Sequence, residues 1–215
     1  MTRPLPLALL CAGLGHPVAA LAAAEGTAEH AAGEAAWTLS ASAYAFFVPA
    51  APSYLNPNLA AERGGLHLEA RYAYEALRTG SAWVGWKFAF GDALTLDITP
   101  MLGGVFGRLN GIAPGYLLAV GYGALALSSQ GEYVFDAAGR AGDFLYTWSE
   151  LSWSLASWFR AGLAIQRTRA YSTPLDVQRG PFAALSWGGS FELAAYVFNP
   201  GWTTPTVVVA VSGGN

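Results

Sequence analysis

From Leu66 to Glu75 the chain alternates strictly. Leu66, Leu68, Ala70, Tyr72 and Tyr74 fall on one side, and His67, Glu69, Arg71, Ala73 and Glu75 on the other. A period of two marks a strand with two unlike faces, and no helix segregates residues this way. The division returns downstream. Val84, Trp86, Phe88 and Phe90 oppose Gly85, Lys87 and Ala89, and Leu94, Leu96 and Ile98 oppose Thr95, Asp97 and Thr99. Phe159, Ala161, Leu163 and Ile165 then oppose Arg160, Gly162, Ala164 and Gln166, as Phe191, Leu193, Ala195 and Val197 oppose Ser190, Glu192, Ala194 and Tyr196. One face is greasy throughout and the other is mixed.

The connections between these strands come in two kinds. Tight turns are predicted at Glu62-Arg63-Gly64, Gly91-Asp92-Ala93, Gly123-Ala124, Leu155-Ala156-Ser157 and Gly188-Gly189. Longer links are predicted at 48–53, 77–81, 106–114, 137–143, 171–179 and 200–204. Short and long alternate, as they do between the periplasmic and outer ends of a bacterial barrel. Twelve strands result, over about 37–47, 54–61, 65–76, 82–90, 94–105, 115–122, 125–136, 144–154, 158–170, 180–187, 190–199 and 205–212. An even count brings both termini to the periplasmic end. The second strand, with Pro57 and two asparagines, carries the weakest signal.

Composition decides which solvent the greasy face meets. Residues are 53% hydrophobic and 13% aromatic but only 12% charged, where soluble domains carry roughly 25% charged residues. A lipid-spanning chain is either helical or a closed barrel, because only these satisfy every backbone polar group. The one helical competitor is the uncharged stretch from Leu109 to Gly131. Gly111, Pro114, Gly115, Gly121 and Gly123 interrupt it, and it suits a hairpin better. A soluble periplasmic β-barrel would bury the same greasy face, but the mixed face has too few charges for a water-facing surface. The expected fold is therefore all-β, a closed antiparallel up-and-down transmembrane barrel in the bacterial outer membrane.

The N-terminal region fits export. Arg3, the apolar run Leu5 to Leu14 and the small residues Ala20 to Ala24 predict a secretory signal peptide over 1–24. An acidic, alanine-rich periplasmic tail follows over 25–36, and the barrel domain over 37–215. The single cysteine, Cys11, lies in the leader. Aromatics recur at the tight-turn end: Trp37, Phe90, Tyr122, Trp153 and Trp187 form a predicted membrane-interface girdle.

With the greasy face outward, the lumen is lined by His67, Glu69, Arg71, Glu75, Lys87, Asp97, Glu132, Glu150, Arg160, Gln166 and Glu192. Two readings follow. Charges of both signs can pair across strands and hold the wall together, or they can line a narrow passage in which the carboxylate excess favours cations. Twelve strands lie between the filled eight-stranded barrels and the open sixteen-stranded ones, so width alone does not choose. Tyr146, Trp148, Tyr44 and Tyr196 are candidate stacking surfaces. Their inward phase would turn Thr147 and Ser149 to lipid, which predicts a bulge or a strand portion beyond the membrane.

Catalytic chemistry finds little support. His67 is the one histidine of the barrel, and its phase points it inward, away from any lipid substrate. A lipid-modifying enzyme is the third reading, and the chain is expected not to be an enzyme. Glu132 and Glu150 on adjacent strands are expected to form ion pairs. Gly103, Gly104, Gly107 and Gly111 lack the Gly-Lys-Ser/Thr of a phosphate loop and are read as a strand end and outer loop. There is no zinc-type Cys/His set, no cofactor is implied, and nothing suggests nucleic-acid binding.

The runs Glu132-Tyr-Val-Phe-Asp136, Tyr146-Thr-Trp-Ser-Glu150, Gln166-Arg-Thr168, Asp176-Val-Gln-Arg-Gly180 and Tyr196-Val-Phe-Asn-Pro200 resemble uncharacterised bacterial outer-membrane, porin-like barrel proteins. The resemblance implies place and fold, with outer-membrane lipid and the barrel-assembly machinery as partners. It also implies a terminal aromatic for that machinery, whereas this chain ends Val211-Ser-Gly-Gly-Asn215. A divergent last strand, another assembly signal and a truncated chain all remain open. The function expected is a narrow passive channel for a small polar solute, with a filled structural or binding barrel as the alternative.

Overall fold

The computed structural model describes residues 36–49, 51–170, 175–202 and 205–215. The expected leader and all of the expected tail except Ala36 lie outside the described residues. The strands are β1 (Thr38–Phe47), β2 (Tyr54–Arg63), β3 (Leu66–Tyr72), β4 (Thr79–Trp86), β5 (Phe88–Phe90), β6 (Leu94–Gly107) and β7 (Gly111–Tyr122). They continue as β8 (Leu125–Asp136), β9 (Phe144–Ala156), β10 (Phe159–Ala170), β11 (Asp176–Trp187), β12 (Phe191–Phe198) and β13 (Thr206–Gly214). A single 3₁₀ turn, Arg140–Gly142, precedes β9.

Every pairing is antiparallel, and β1 pairs with both β2 and β13, so the sheet closes on itself. Segments β4 and β5 lie end to end along β6, interrupted at Lys87, whose N–H donates instead to the Gly65 carbonyl. The thirteen segments therefore build a closed barrel of twelve staves. No helix among the described residues is long and apolar enough to cross a membrane. The stretch from Leu109 to Gly131 falls in the β7–β8 hairpin.

The barrel is inside-out relative to a soluble protein. Leu59 (62% exposed), Leu163 (60%) and Ile112 (61%) face outward while Glu69, Glu132 and Glu150 are buried. A soluble barrel would require the opposite arrangement.

Five details depart from the pattern read in the sequence. The third strand stops at Tyr72 because Ala73 adopts a left-handed φ of 55°, so Tyr74 turns inward with Glu75 instead of outward. The following link consequently runs over 73–78, and β4 begins earlier, at Thr79. The expected long link at 106–114 shrinks to 108–110. The Asn110 side-chain amide donates to the Gly107 carbonyl (2.9 Å), and its oxygen accepts from the Gly107 N–H (3.1 Å), closing a tight connection. The link expected over 171–179 is cut short because β11 already begins at Asp176. Finally, of the two expectations for Thr147 and Ser149 the bulge does not occur, since β9 stays in register with both neighbours there.

The uncertain second strand is formed. Asn56 and Asn58 point inward, and Pro57 lies one residue beyond the last β2–β3 pair, where its missing N–H removes no bond to β3. At the seam, Asn215 ties the chain to β1: the Leu39 N–H donates to Asn215 Oδ1 (2.6 Å) and the Asn215 N–H to the Leu39 carbonyl (3.1 Å).

Candidate lumen and its constriction

The lumen changes character with height. At the end that carries the termini and tight turns, the inward positions are small and polar. Ser42, Thr95, Ala119, Ser128, Ser186 and Ser212 are all only partly buried, so this half forms a solvent-accessible vestibule. Lys87 and Asp97 stand in it, 3.4 Å apart, with Glu62 3.9 Å from the Lys87 ammonium.

Above the vestibule lie two ion-pair networks. The first centres on Arg71, whose Nη2 donates to Glu69 Oε2 (2.8 Å) and whose Nη1 donates to Glu132 Oε2 (2.9 Å). Its guanidinium also sits over the Tyr74 and Trp83 rings, at 4.4 and 4.6 Å. Asn58 donates to Glu69 Oε1, and His67 places its two ring nitrogens on Glu62 (2.9 Å) and Glu69 (3.4 Å). The second network centres on Arg160. It makes a two-point contact with Glu192 (2.9 and 2.7 Å) and a third bond to Glu150 (3.1 Å). Glu150 Oε1 further accepts from the Trp148 indole and the Tyr196 hydroxyl, both at 2.8 Å. Buried charges tolerate removal from water only when paired and hydrogen-bonded in this way.

Toward the long-loop end the interior becomes aromatic. Trp148 packs edge-on against Tyr196 and Phe198, each at 5.1 Å, and Tyr196 stacks on Phe182. The loop 73–78 folds into this layer. Tyr74, fully buried, meets Tyr146 edge-on at 5.4 Å, Glu75 is buried beside it, and Asn56 Nδ2 donates to the Ala73 carbonyl. Trp83 fills the facing wall. A Cβ on Gly103 would strike its indole, and one on Gly115 would come within 2.9 Å of it. The glycines read as a strand end and outer loop thus include one, Gly103, that makes room for a tryptophan inside the barrel. On the outer side of loop 73–78 lies an open depression of about 570 Å3 lined by Leu77, Arg78 and Arg108.

All eleven expected lumen residues point inward. Gln166 and Glu75 are buried in the upper half, and the other nine enter the contacts given above. Glu132 and Glu150 do not meet: in the β8–β9 register Glu132 faces Tyr146 and Glu150 faces Ser128, so each serves a different arginine. Sequence reading missed Glu62, assigned to a turn, and Tyr74, assigned to the outer face. It also passed over Trp83, whose phase opposite Val84 and Trp86 was the available signal. Trp37, Phe90, Tyr122, Trp153 and Trp187 are exposed near the tight-turn end, accompanied by Trp86, Trp158 and Phe191.

A closed twelve-stave antiparallel barrel with an apolar exterior and an ion-paired interior has the fold of a transmembrane β-barrel. The comparisons with known proteins agree at the level of fold. No family model matches the sequence, and no curated protein does. Among solved structures, the KdgM porin in complex with disordered oligogalacturonate is similar at a TM-score of 0.57 and 12% identity. The match covers 81% of this chain and 98% of that one. A second KdgM porin structure gives 0.55 and 13% over the same shares. The Acinetobacter baumannii outer membrane protein Omp33 gives 0.48 and 8%, covering 82% of this chain and 97% of its own.

Proposed function

We propose that this protein is a constricted channel of the bacterial outer membrane that passes small polar solutes and is held shut, in the conformation described, by the in-folded loop 73–78. The observation that carries the reading is the lumen's gradient. A vestibule of serines and threonines leads to paired charges and then to an aromatic layer that a loop, not a strand, completes. The aromatic belt at the tight-turn end would sit at the periplasmic interface, where tryptophan and tyrosine rings meet both headgroups and hydrocarbon.

The solute class follows from the lining. The inward carboxylates Glu62, Glu69, Glu75, Asp97, Glu132, Glu150 and Glu192 outnumber Arg71, Lys87 and Arg160, which favours uncharged or cationic solutes. A porin of the same fold is seen with oligogalacturonate, and this supports a polar rather than an apolar cargo. No reaction is assigned: both His67 ring nitrogens are engaged by carboxylates, which leaves the ring no free position to activate a nucleophile.

A second reading, a filled and non-conducting barrel, is favoured by the burial of Tyr146 and Trp148, 0% and 1% exposed on the barrel axis side. Planar-bilayer recording on the folded wild-type protein separates the two. The channel reading expects small, brief openings with a cation-selective reversal potential in a salt gradient. Silence from protein shown to be folded and inserted overturns it in favour of the filled barrel.

A further inference from the structure

The barrel exterior carries one feature that neither the lumen nor a plain lipid contact explains. Outward positions across β8–β11 form three rows at the long-loop end. The uppermost is Tyr133, Leu145 and Arg169; the next is Gly131, Thr147, Arg167 and Val177; the third is Ser129, Ser149, Ile165 and Arg179. The row beneath is wholly apolar, with Leu127, Leu151, Leu163 and Pro181. Three exposed arginines therefore stand directly above the hydrocarbon band, with hydroxyls beside them. Arg167 is two residues from Arg169 on the same face and lies diagonally across the strand pair from Arg179, separations of about 7–8 Å that one multivalent headgroup spans.

Elsewhere toward this end Phe47, Ile112, Phe135 and Val207 are exposed and apolar, and the exposed Arg78 and Arg108 stand beside Phe106 at the β6–β7 connection, apart from this face. None of the ion pairs among the described residues involves Arg167, Arg169 or Arg179. Arg169 hydrogen-bonds the Tyr133 hydroxyl, which donates in turn to Asp143, and Asp176 accepts from the Gln178 amide. The serine and tyrosine hydroxyls form a short chain, Tyr116 to Ser129 at 3.2 Å and Ser129 to Ser149 at 2.9 Å.

A depression of about 330 Å3 adjoins these rows, lined by Leu163, Ala164, Ile165, Gly180, Pro200 and Trp202 together with Arg179 and Asn199. Its lining is mostly apolar and includes one guanidinium, which suits a phosphorylated headgroup with an acyl chain attached. Guanidinium groups bind phosphate through paired N–H donors and keep their charge at any physiological pH.

We infer that the β9–β11 face is a binding site for a phosphorylated, acylated glycolipid of the outer leaflet. Its phosphates contact Arg167, Arg169 and Arg179, and an acyl chain lies in the groove beside Trp202. The site rests on the outer-membrane placement and not on solute passage.

The test uses the full chain folded in zwitterionic detergent and titrated with lipid A, with binding followed by native mass spectrometry. Replacing Arg167→Gln, Arg169→Gln and Arg179→Gln together should weaken lipid A binding by about tenfold or more, while Arg108→Gln, an exposed arginine at the β6–β7 connection, leaves it unchanged. Lipid A stripped of its phosphates should bind the wild type no better than intact lipid A binds the triple variant. Equal affinity of wild type and triple variant overturns the site, and so does displacement of lipid A by millimolar inorganic phosphate, which would mark a simple anion site. If the triple variant fails to fold, Arg179→Gln alone and the salt dependence of wild-type binding decide. Binding that neither the single change nor raised salt weakens overturns the proposal. A failure here leaves conductance untouched, and a silent bilayer leaves lipid binding untouched, so the two readings fail separately.

Discussion

Arg71 shows how single residues hold this barrel together. Its guanidinium lies between two aromatic rings and two carboxylates, all buried. Arg71→Met removes the charge but leaves Glu69 and Glu132 without their cation, and the expected loss is about 3–5 kcal/mol. Adding Glu132→Leu should restore part of it, because one of the stranded charges is gone. Lys87→Met, in the half-exposed vestibule, should cost less than about 1 kcal/mol. Urea unfolding in detergent or lipid, read by the heat-dependent gel shift, ranks the three variants; equal losses for Arg71→Met and Lys87→Met would contradict the assignment. At this scale the inward phase of each charge was legible in the sequence, because alternation fixes the face. The partners were not. Arg71 and Glu132 are 61 residues apart, and only the strand registers bring them to one height. Glu62 escaped notice because the short turn after it hid two further residues of strand.

At the scale of an element, loop 73–78 is the part that sequence pattern misread. The alternation of β3 runs on unbroken through Tyr74 and Glu75, and Ala73 carries none of the usual marks of a left-handed residue. What stops the strand is tertiary: the Ala73 N–H donates to the Thr79 carbonyl at 2.8 Å, and Tyr74 finds an aromatic seat against Tyr146. Holding alanine at φ 55° costs about 1–2 kcal/mol, so Ala73→Gly should stabilise the folded barrel by roughly 1 kcal/mol in the same unfolding assay. A destabilised variant would show that the turn is not strained. Gly103→Val makes the opposite case. Its side chain would occupy the space of the Trp83 indole, and overpacking of this kind costs about 1–3 kcal/mol. The expected sign is a shift in Trp83 fluorescence as the ring is displaced, while an unchanged spectrum and midpoint would place the indole elsewhere. The glycine run from 103 to 111 resembled a mobile loop only because the sequence does not show which ring lies opposite.

The whole molecule is an inverted protein, with its apolar residues outside and its polar residues within. Composition and period two made that much legible, since low charge with two-faced strands leaves few alternatives to a lipid-facing barrel. An arginine introduced at Leu163, within the apolar band, should cost up to about 2–4 kcal/mol in a bilayer. The same change at Trp158, beside a tight turn, should cost about 0–1 kcal/mol. Lumen width was not legible, because it depends on which side chains cross the axis and on a loop that folds inward. The most direct measurement compares the conductance in planar bilayers of the wild type with a variant in which loop 73–78 is replaced by an Asn-Gly turn. Both variants must first show the gel shift of a folded barrel. The account predicts rare, small openings for the wild type and frequent, larger ones for the variant, with cation selectivity in both. Two proteins equally silent, or equally open, would contradict it.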